Sequence, residues 1–194
     1  MYIKDWKKEI FTIPNLLSLF RLVLIPVYIV IYLNATESYE YFLAGSILAV
    51  SCLTDLVDGK IARHFNMISN LGKLLDPIAD KLTQFALTVC LSLKYPPLLP
   101  VLILFIIKES FQLIAMLVNL KKGKALEGAL ISGKICTTVL FISLIAMVLY
   151  PHMPLHAVRI IAIVDTAFLL NAFLGYILAY FGRNTKVQDF NPNL

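Results

Sequence analysis

Four aspartates, Asp55, Asp58, Asp76 and Asp80, stand in one short stretch of a chain that is otherwise strongly apolar. A carboxylate placed in hydrocarbon is costly unless a cation, hydrogen bonds or a water-filled cavity compensates it. The spacing points to such compensation. Asp55 and Asp58 are three residues apart and Asp76 and Asp80 are four apart, so on helices each pair projects from one face. Two such helices side by side would close four carboxylates around a hard divalent cation, which prefers oxygen ligands. The chemistry this favours is a metal-dependent reaction within a membrane. The alternative is a set of interhelical ion pairs with Lys60, Arg63, Lys73 or Lys81. Ion pairing, however, requires no glycines at fixed offsets, and Gly59 and Gly72 accompany these acids.

The elements that must position the aspartates follow from composition. The chain has 194 residues, 59% hydrophobic and 15% charged, with a mean hydropathy of +0.82. A soluble domain would carry roughly a quarter charged residues. Only helices and closed barrels satisfy their backbone groups in lipid, and the alternation that marks barrel strands is absent. The expected fold is an all-α integral membrane protein with six transmembrane helices and a short N-terminal interfacial amphipathic helix. The spans are expected near Ile13–Leu33, Tyr41–Arg63, Lys73–Lys94, Leu98–Leu120, Ala129–Tyr150 and His156–Phe181. One domain is expected: residues 1–12 as the interfacial segment anchored by Trp6, 13–181 as the six-helix bundle, and 182–194 as a cytoplasmic tail. The first apolar run follows a charged segment and continues for a full span, so no cleavable leader is expected.

Charge sets the orientation. Lys4, Lys7, Lys8, Arg63, Lys73, Lys121, Lys122, Lys124, Arg183 and Lys186 all fall on one side, and the opposite connections carry Glu37 and Glu40, with Lys94 and Arg159 the only basic residues near them. By the positive-inside rule both termini and the aspartates face the cytoplasm of a multi-pass cell-membrane protein. The net charge of +5 is thus a topology signal, and with no basic helix clear of the spans a nucleic-acid partner is not expected. Cys52, Cys90 and Cys136 lack paired spacing and read as small buried hydrophobes. Asp165, in the last span, reads as structural, either paired with Arg159 or at a helix interface.

The full string reads D-x-x-D-G-x-x-A-R, eight residues, G, three residues, D, three residues, D, and is met by Asp55, Asp58, Gly59, Ala62, Arg63, Gly72, Asp76 and Asp80. It resembles the signature of the CDP-alcohol phosphatidyltransferase family. The physical reasons stand beside the resemblance. Asp55, Asp58 and Asp76 supply anionic oxygens for metal. Gly59 lets a nucleotide or phosphate approach the backbone, and Arg63 offers a planar fork to phosphate oxygens. Asp80 stands one turn beyond Asp76. The resemblance implies that Asp80 is both a metal ligand and the base that takes the acceptor's proton, and that one or two Mg2+ or Mn2+ ions bridge the four aspartates. It further implies CDP-diacylglycerol as donor and a homodimer.

The opening I-P-N-L-L-S-L-F-R looks like the family's first segment, in which Ser18, Leu19, Phe20 and Arg21 would help hold the CDP part of the donor. For Arg21 the alternative is a pair with one of the aspartates. By the same resemblance Ser69 would contact the donor diphosphate or ribose, or else be a turn residue. The opening segment and the Asp76-Pro77-Ile78-Ala79-Asp80-Lys81 string look most like the branch that makes phosphatidylglycerophosphate, which implies glycerol 3-phosphate as acceptor. Cardiolipin synthases, which use phosphatidylglycerol, share these features. That first branch carries G-K-x-K-T where this chain has Gly133-Lys134-Ile135-Cys136-Thr137, and Ala-Arg-Glu where it has Ile107-Lys108-Glu109. Lys108 and Lys134 are accordingly candidates for the acceptor's phosphate, against a Lys108–Glu109 network and snorkelling of Lys134. A non-enzymatic cation transporter is a different class of reading, but no acidic residues continue the aspartates across the bilayer.

Overall fold

The computed structural model describes residues 13–64, 72–121, 124–126, 130–181 and 187–189; of these, the side chains of 13–14, 55–64, 72–74, 120, 124–126 and 187–189 are not described. The expected interfacial helix over 1–12 and the connection residue Ser69 lie outside the described residues. The helices are α1 Ile13–Asn34, α2 Ser38–His64, α3 Gly72–Lys94, α4 Leu99–Lys121, α5 Ile131–Leu149 and α6 Leu155–Phe181, with a 3-10 turn Pro96–Leu98 before α4. Their ends match the expected spans to within about a turn.

Among the described residues, four stretches, Asn15–Asn34, Pro96–Asn119, Ile131–Leu149 and Leu155–Phe181, are long and apolar enough to cross a bilayer. The chain is therefore a helical integral membrane protein. The 27 residues of α2 and 23 of α3 would reach about 40 and 35 Å, beyond the ~30 Å hydrocarbon core. What sets these two helices apart is charge, with Asp55, Asp58, Lys60 and Arg63 on α2 and Lys73, Asp76, Asp80 and Lys81 on α3.

One feature was not anticipated. Strands β1 Lys124–Leu126 and β2 Val187–Asp189 pair antiparallel, Lys124 opposite Asp189 and Leu126 opposite Val187. Part of the expected tail thus returns to the connection after α4. Three-residue strands carry no readable period, and their pairing is decided far away in sequence.

The chain forms two compact units, Met1–Leu91 with Ile145–Pro151 and Ser92–Leu144 with His152–Leu194. In the first unit α1 packs along α2. The turn between them is fastened by Glu40, which accepts from the backbone N–H of Glu37 at 2.9 Å and also from that of Thr36. These bonds hold the Glu40 pKa below its ordinary value, and they satisfy donors that a helix start leaves open. Tyr28, Tyr32 and Tyr41 form a ladder with successive centroids 5.5 Å apart. Along α3 the buried Thr83 and Thr88 hydroxyls donate back to the carbonyls of Ala79 at 2.8 Å and Gln84 at 2.7 Å, so these polar side chains need no outside partner.

In the second unit α4 packs on α6, with the Phe111 and Phe173 rings edge to face at 5.2 Å. Helices α5 and α6 meet through reciprocal glycines. A Cβ on Gly133 would stand 2.5 Å from the Tyr176 hydroxyl, and one on Gly175 would stand 2.9 Å from Ser132 Oγ. Small residues allow such close crossings where lipid offers no hydrophobic drive to pack. Because the Tyr176 ring is itself buried, Gly133→Ala is expected to destabilise the protein by about 1–3 kcal/mol. Thermal unfolding in detergent checks this, and Tyr176→Phe in the same chain should recover part of the loss by removing the clashing hydroxyl.

Asp165 is buried, and its partner is Ser143 of α5, whose Oγ lies 2.7 Å from Oδ2, rather than Arg159. Arg159 is six residues earlier on the same helix, which places it on a different face. Cys90 and Cys136 are buried, as expected, whereas Cys52 is only half-buried; all three are free.

Candidate active site

The site in the first unit is built from the N-terminal half of α1 and the start of α3. Asn15, Ser18 and Arg21 recur every three residues, so they form a polar stripe on one face of an otherwise apolar helix. All three are buried, at 1%, 0% and 2% exposure. On α3, Asp76 and Asp80 are one turn apart. Ser18 Oγ donates to Asp76 Oδ1, and Arg21 Nη1 donates to Asp80 Oδ1 at 2.7 Å. The two contacts advance together, three residues on α1 against four on α3, so the helices run parallel here. That is the outcome expected when one antiparallel helix intervenes.

The pair is lopsided. The Arg21 side chain is 2% exposed and that of Asp80 53%. A guanidinium sealed among helices anchors a carboxylate that an incoming molecule can still reach. Charge-assisted bonds of this type are short and roughly twice as strong as neutral ones, so Asp80 is held in a defined orientation. For Arg21 the alternative weighed above, a pair with an aspartate, is what the structure contains. That pair joins two of the candidate site residues rather than removing one from the site.

The other donor-binding candidates divide. Phe20 is 46% exposed and Leu19 half-buried, both off the face that carries Ser18 and Arg21. Asp55, Asp58, Gly59 and Arg63 lie on the last turns of α2, with their side chains outside the description. Backbone arithmetic still sets their height. Ser18 is about 24 Å along α1 from Asn34, and Asp55 about 26 Å along α2 from Ser38, at 1.5 Å per residue. Antiparallel packing of α1 and α2 therefore brings Asp55 and Ser18 to the same level. Among the described residues no group of three metal-ligating side chains converges. The donor set itself, carboxylates on two helices at one level, has the oxygen chemistry a hard cation takes. Asn15 was missed as a candidate, although its place in the three-residue stripe with Ser18 and Arg21 is a signal.

In the second unit Lys108 is buried at 2% exposure, pairs with Glu109 at 2.6 Å and lies 5.6 Å from the Tyr176 ring centroid. Of the two readings for this lysine, the structure contains the Lys108–Glu109 network. A buried ammonium needs such a partner. Lys134, one residue after the crossing at Gly133, is exposed.

Helices of membrane length enclosing a carboxylate–guanidinium face define an integral membrane protein with a polar site among its spans. The family model for CDP-alcohol phosphatidyltransferase matches residues 11–177, and the chain belongs to that family. It is a phosphatidyltransferase.

Three similar proteins illustrate the range. CDP-diacylglycerol--glycerol-3-phosphate 3-phosphatidyltransferase of Bacillus subtilis is 31% identical over 188 residues, 90% of this chain and 95% of that protein. Cardiolipin synthase (CMP-forming) of Streptomyces coelicolor is 36% identical over 119 residues, 59% of this chain and 54% of that protein. A cardiolipin synthase (CMP-forming) / mitochondrial hydrolase fusion protein of Schizosaccharomyces pombe is 40% identical over 89 residues, 45% of this chain. The match spans only 14% of that fusion protein.

Proposed function

We propose that the protein transfers the phosphatidyl group of CDP-diacylglycerol to glycerol 3-phosphate, forming phosphatidylglycerophosphate and releasing CMP. The observation that carries this reading is the accessible Asp80 carboxylate anchored by buried Arg21, one turn beyond an Asp76 that Ser18 engages. The likeness to the Bacillus subtilis transferase over 95% of its length supports the acceptor. The cardiolipin synthase likenesses cover about half of this chain or little more.

In this mechanism the acceptor's hydroxyl oxygen attacks the phosphorus that carries diacylglycerol. The bond from that phosphorus to the CMP oxygen breaks, and CMP leaves with its electron pair. Asp80 takes the hydroxyl proton, a task that calls for an accessible carboxylate held in one orientation. Arg21 holds that carboxylate from behind, and Ser18 orients Asp76. Asp55, Asp58, Asp76 and Asp80 would hold one or two Mg2+ or Mn2+ ions, which would supply positive charge against the pyrophosphate and the leaving phosphate. Gly59 leaves room for the nucleotide and Arg63 binds a phosphate oxygen; Ser69 adds a donor contact. Lys134, exposed at the start of α5, is the better suited of the two lysines to meet the acceptor's phosphate. Lys108 serves it by holding Glu109 and Tyr176 in place. All six helices cross the bilayer, with the aspartates at the cytoplasmic face.

The test is an acceptor panel with labelled CDP-diacylglycerol and Mg2+ or Mn2+, products resolved by lipid chromatography. Glycerol 3-phosphate should yield phosphatidylglycerophosphate and CMP, and a chelator should stop both. Cardiolipin formed from phosphatidylglycerol in its place would reassign the acceptor. No CMP with any acceptor would overturn the transferase mechanism.

A further inference from the structure

Asp165 is a carboxyl that the mechanism leaves unused. It stands ten residues into α6, about 15 Å at 1.5 Å per residue, which is the middle of a ~30 Å hydrocarbon core. The residue is 1% exposed. Its Oδ2 lies 2.7 Å from Ser143 Oγ on α5, while Oδ1 is buried with no hydrogen-bond partner. Ser143 Oγ also lies 3.0 Å from the carbonyl oxygen of Leu140. Both contacts have hydrogen-bond length, and a hydroxyl has one proton to give. A carbonyl has none, so the serine proton goes to Leu140. The proton between Oγ and Oδ2 then belongs to Asp165.

The surroundings agree. On α4, which packs on α6, Lys108 and Glu109 pair with each other. The 3-10 turn Pro96–Leu98 also packs on α6 and has no titratable side chain. On α5 the titratable groups are Lys134 and Cys136, nine and seven residues from Ser143. Along α6, His156, Arg159, Tyr176 and Tyr180 are all six or more residues away. Among the described residues only Ser143 bonds the Asp165 side chain. An ionised carboxylate would therefore keep one oxygen without a donor and the whole charge without a cation, in hydrocarbon. A neutral acid leaves only a carbonyl oxygen unpaired, a much smaller penalty.

The bond has a definite place in the second unit, to which all these residues belong. Gly133 meets Tyr176 and Gly175 meets Ser132 at one end of the α5–α6 interface. Ten residues on along α5 and eleven back along α6, Ser143 meets Asp165, about 15 Å from the glycine crossing. Two fixed points set both the rotation and the register of α5, and Lys134 stands one residue beyond the first of them. We propose that Asp165 is a positioning residue: as a neutral acid donating to Ser143, it holds α5 on α6 and thereby sets the place of Lys134. This rests on the reading that Lys134 meets the acceptor's phosphate.

Infrared difference spectra of the full chain in lipid vesicles, unaltered minus Asp165→Asn, test the protonation state. The C=O stretch of a protonated carboxyl is expected, and carboxylate stretches in its place overturn the assignment. Kinetics test the positioning. Asp165→Asn keeps a neutral donor for Ser143 Oγ, so both KM values should stay close to those of the unaltered protein. Asp165→Leu has no donor. It should raise KM for glycerol 3-phosphate about 3- to 20-fold, the weight of one interhelical hydrogen bond in a membrane, with KM for CDP-diacylglycerol unchanged. A fall in kcat alone, as fewer folded molecules would give, overturns the positioning role and leaves a plain helix fastening. An asparagine variant as impaired as the leucine one overturns the neutral acid. Should Asp165→Leu not fold, Ser143→Ala removes the acceptor with little change in volume and should raise the same KM; an unchanged value counts against the proposal. If the unaltered protein makes no CMP with glycerol 3-phosphate, the acceptor reading fails and the positioning of Lys134 with it. The infrared spectrum still decides the state of Asp165, so the two failures are distinguishable.

Discussion

Asp80→Asn lowers CMP release by about 10²–10⁴-fold, the range that a positioned base contributes, with binding of CDP-diacylglycerol largely kept. Asparagine has nearly the shape of aspartate and retains an oxygen that Arg21 can still meet at the 2.7 Å now seen to Asp80 Oδ1. What it lacks is the capacity to take a proton. The loss should therefore fall on kcat, while KM for the donor moves little. Stability should fall as well, because the neutral amide leaves the Arg21 guanidinium, 2% exposed, without its counter-charge. Single-turnover CMP release at saturating donor measures the first quantity and thermal unfolding in detergent the second. A kcat within twofold of the unaltered enzyme would remove Asp80 from the base role.

Arg21→Met is expected to lower kcat/KM for the donor by roughly 10- to 150-fold, the range set by losing a hydrogen bond to a charged group. The side chain is 2% exposed, so methionine fills most of its volume, and the charge left behind belongs to the accessible Asp80. The asymmetry makes the kinetic loss far larger than the loss of stability, since a solvated carboxylate needs no partner. Arg21→Lys separates charge from geometry. It keeps the cation but not the planar fork that suits a phosphate or carboxylate, so its activity should lie between the two. Steady-state kinetics over a donor series decides the matter. Full activity in Arg21→Met would make the pair a helix fastening with no part in turnover.

Much of this was readable in one dimension because it depends on composition and short spacings. Apolar runs of about twenty residues have one low-energy state in lipid, and the helix ends fell where Asn, Pro and charged residues interrupt them. The burial of Cys90 and Cys136 was readable for the same reason, whereas that of Cys52 was not. Arg21 was only half readable: an arginine in an apolar span must find an anion, but whether that anion is a ligand's phosphate or Asp80 depends on the packing of a helix some sixty positions away. Lys108 went the same way. Its sequence neighbour Glu109 was visible as a partner, whereas Tyr176 across α6 was not. The short β1–β2 ribbon left no sequence signal.

The sequence by itself determined that this is a helical membrane protein with paired carboxylates on two successive helices, because burial energy and helical period act locally. Only the tertiary structure decided that Ser18 and Arg21 of α1 meet Asp76 and Asp80, and that Asp165 joins Ser143 instead of Arg159. Those choices turn on which helix lies against which and in what register. That is a matter of side-chain fit between distant segments, as at the Gly133 and Gly175 crossing.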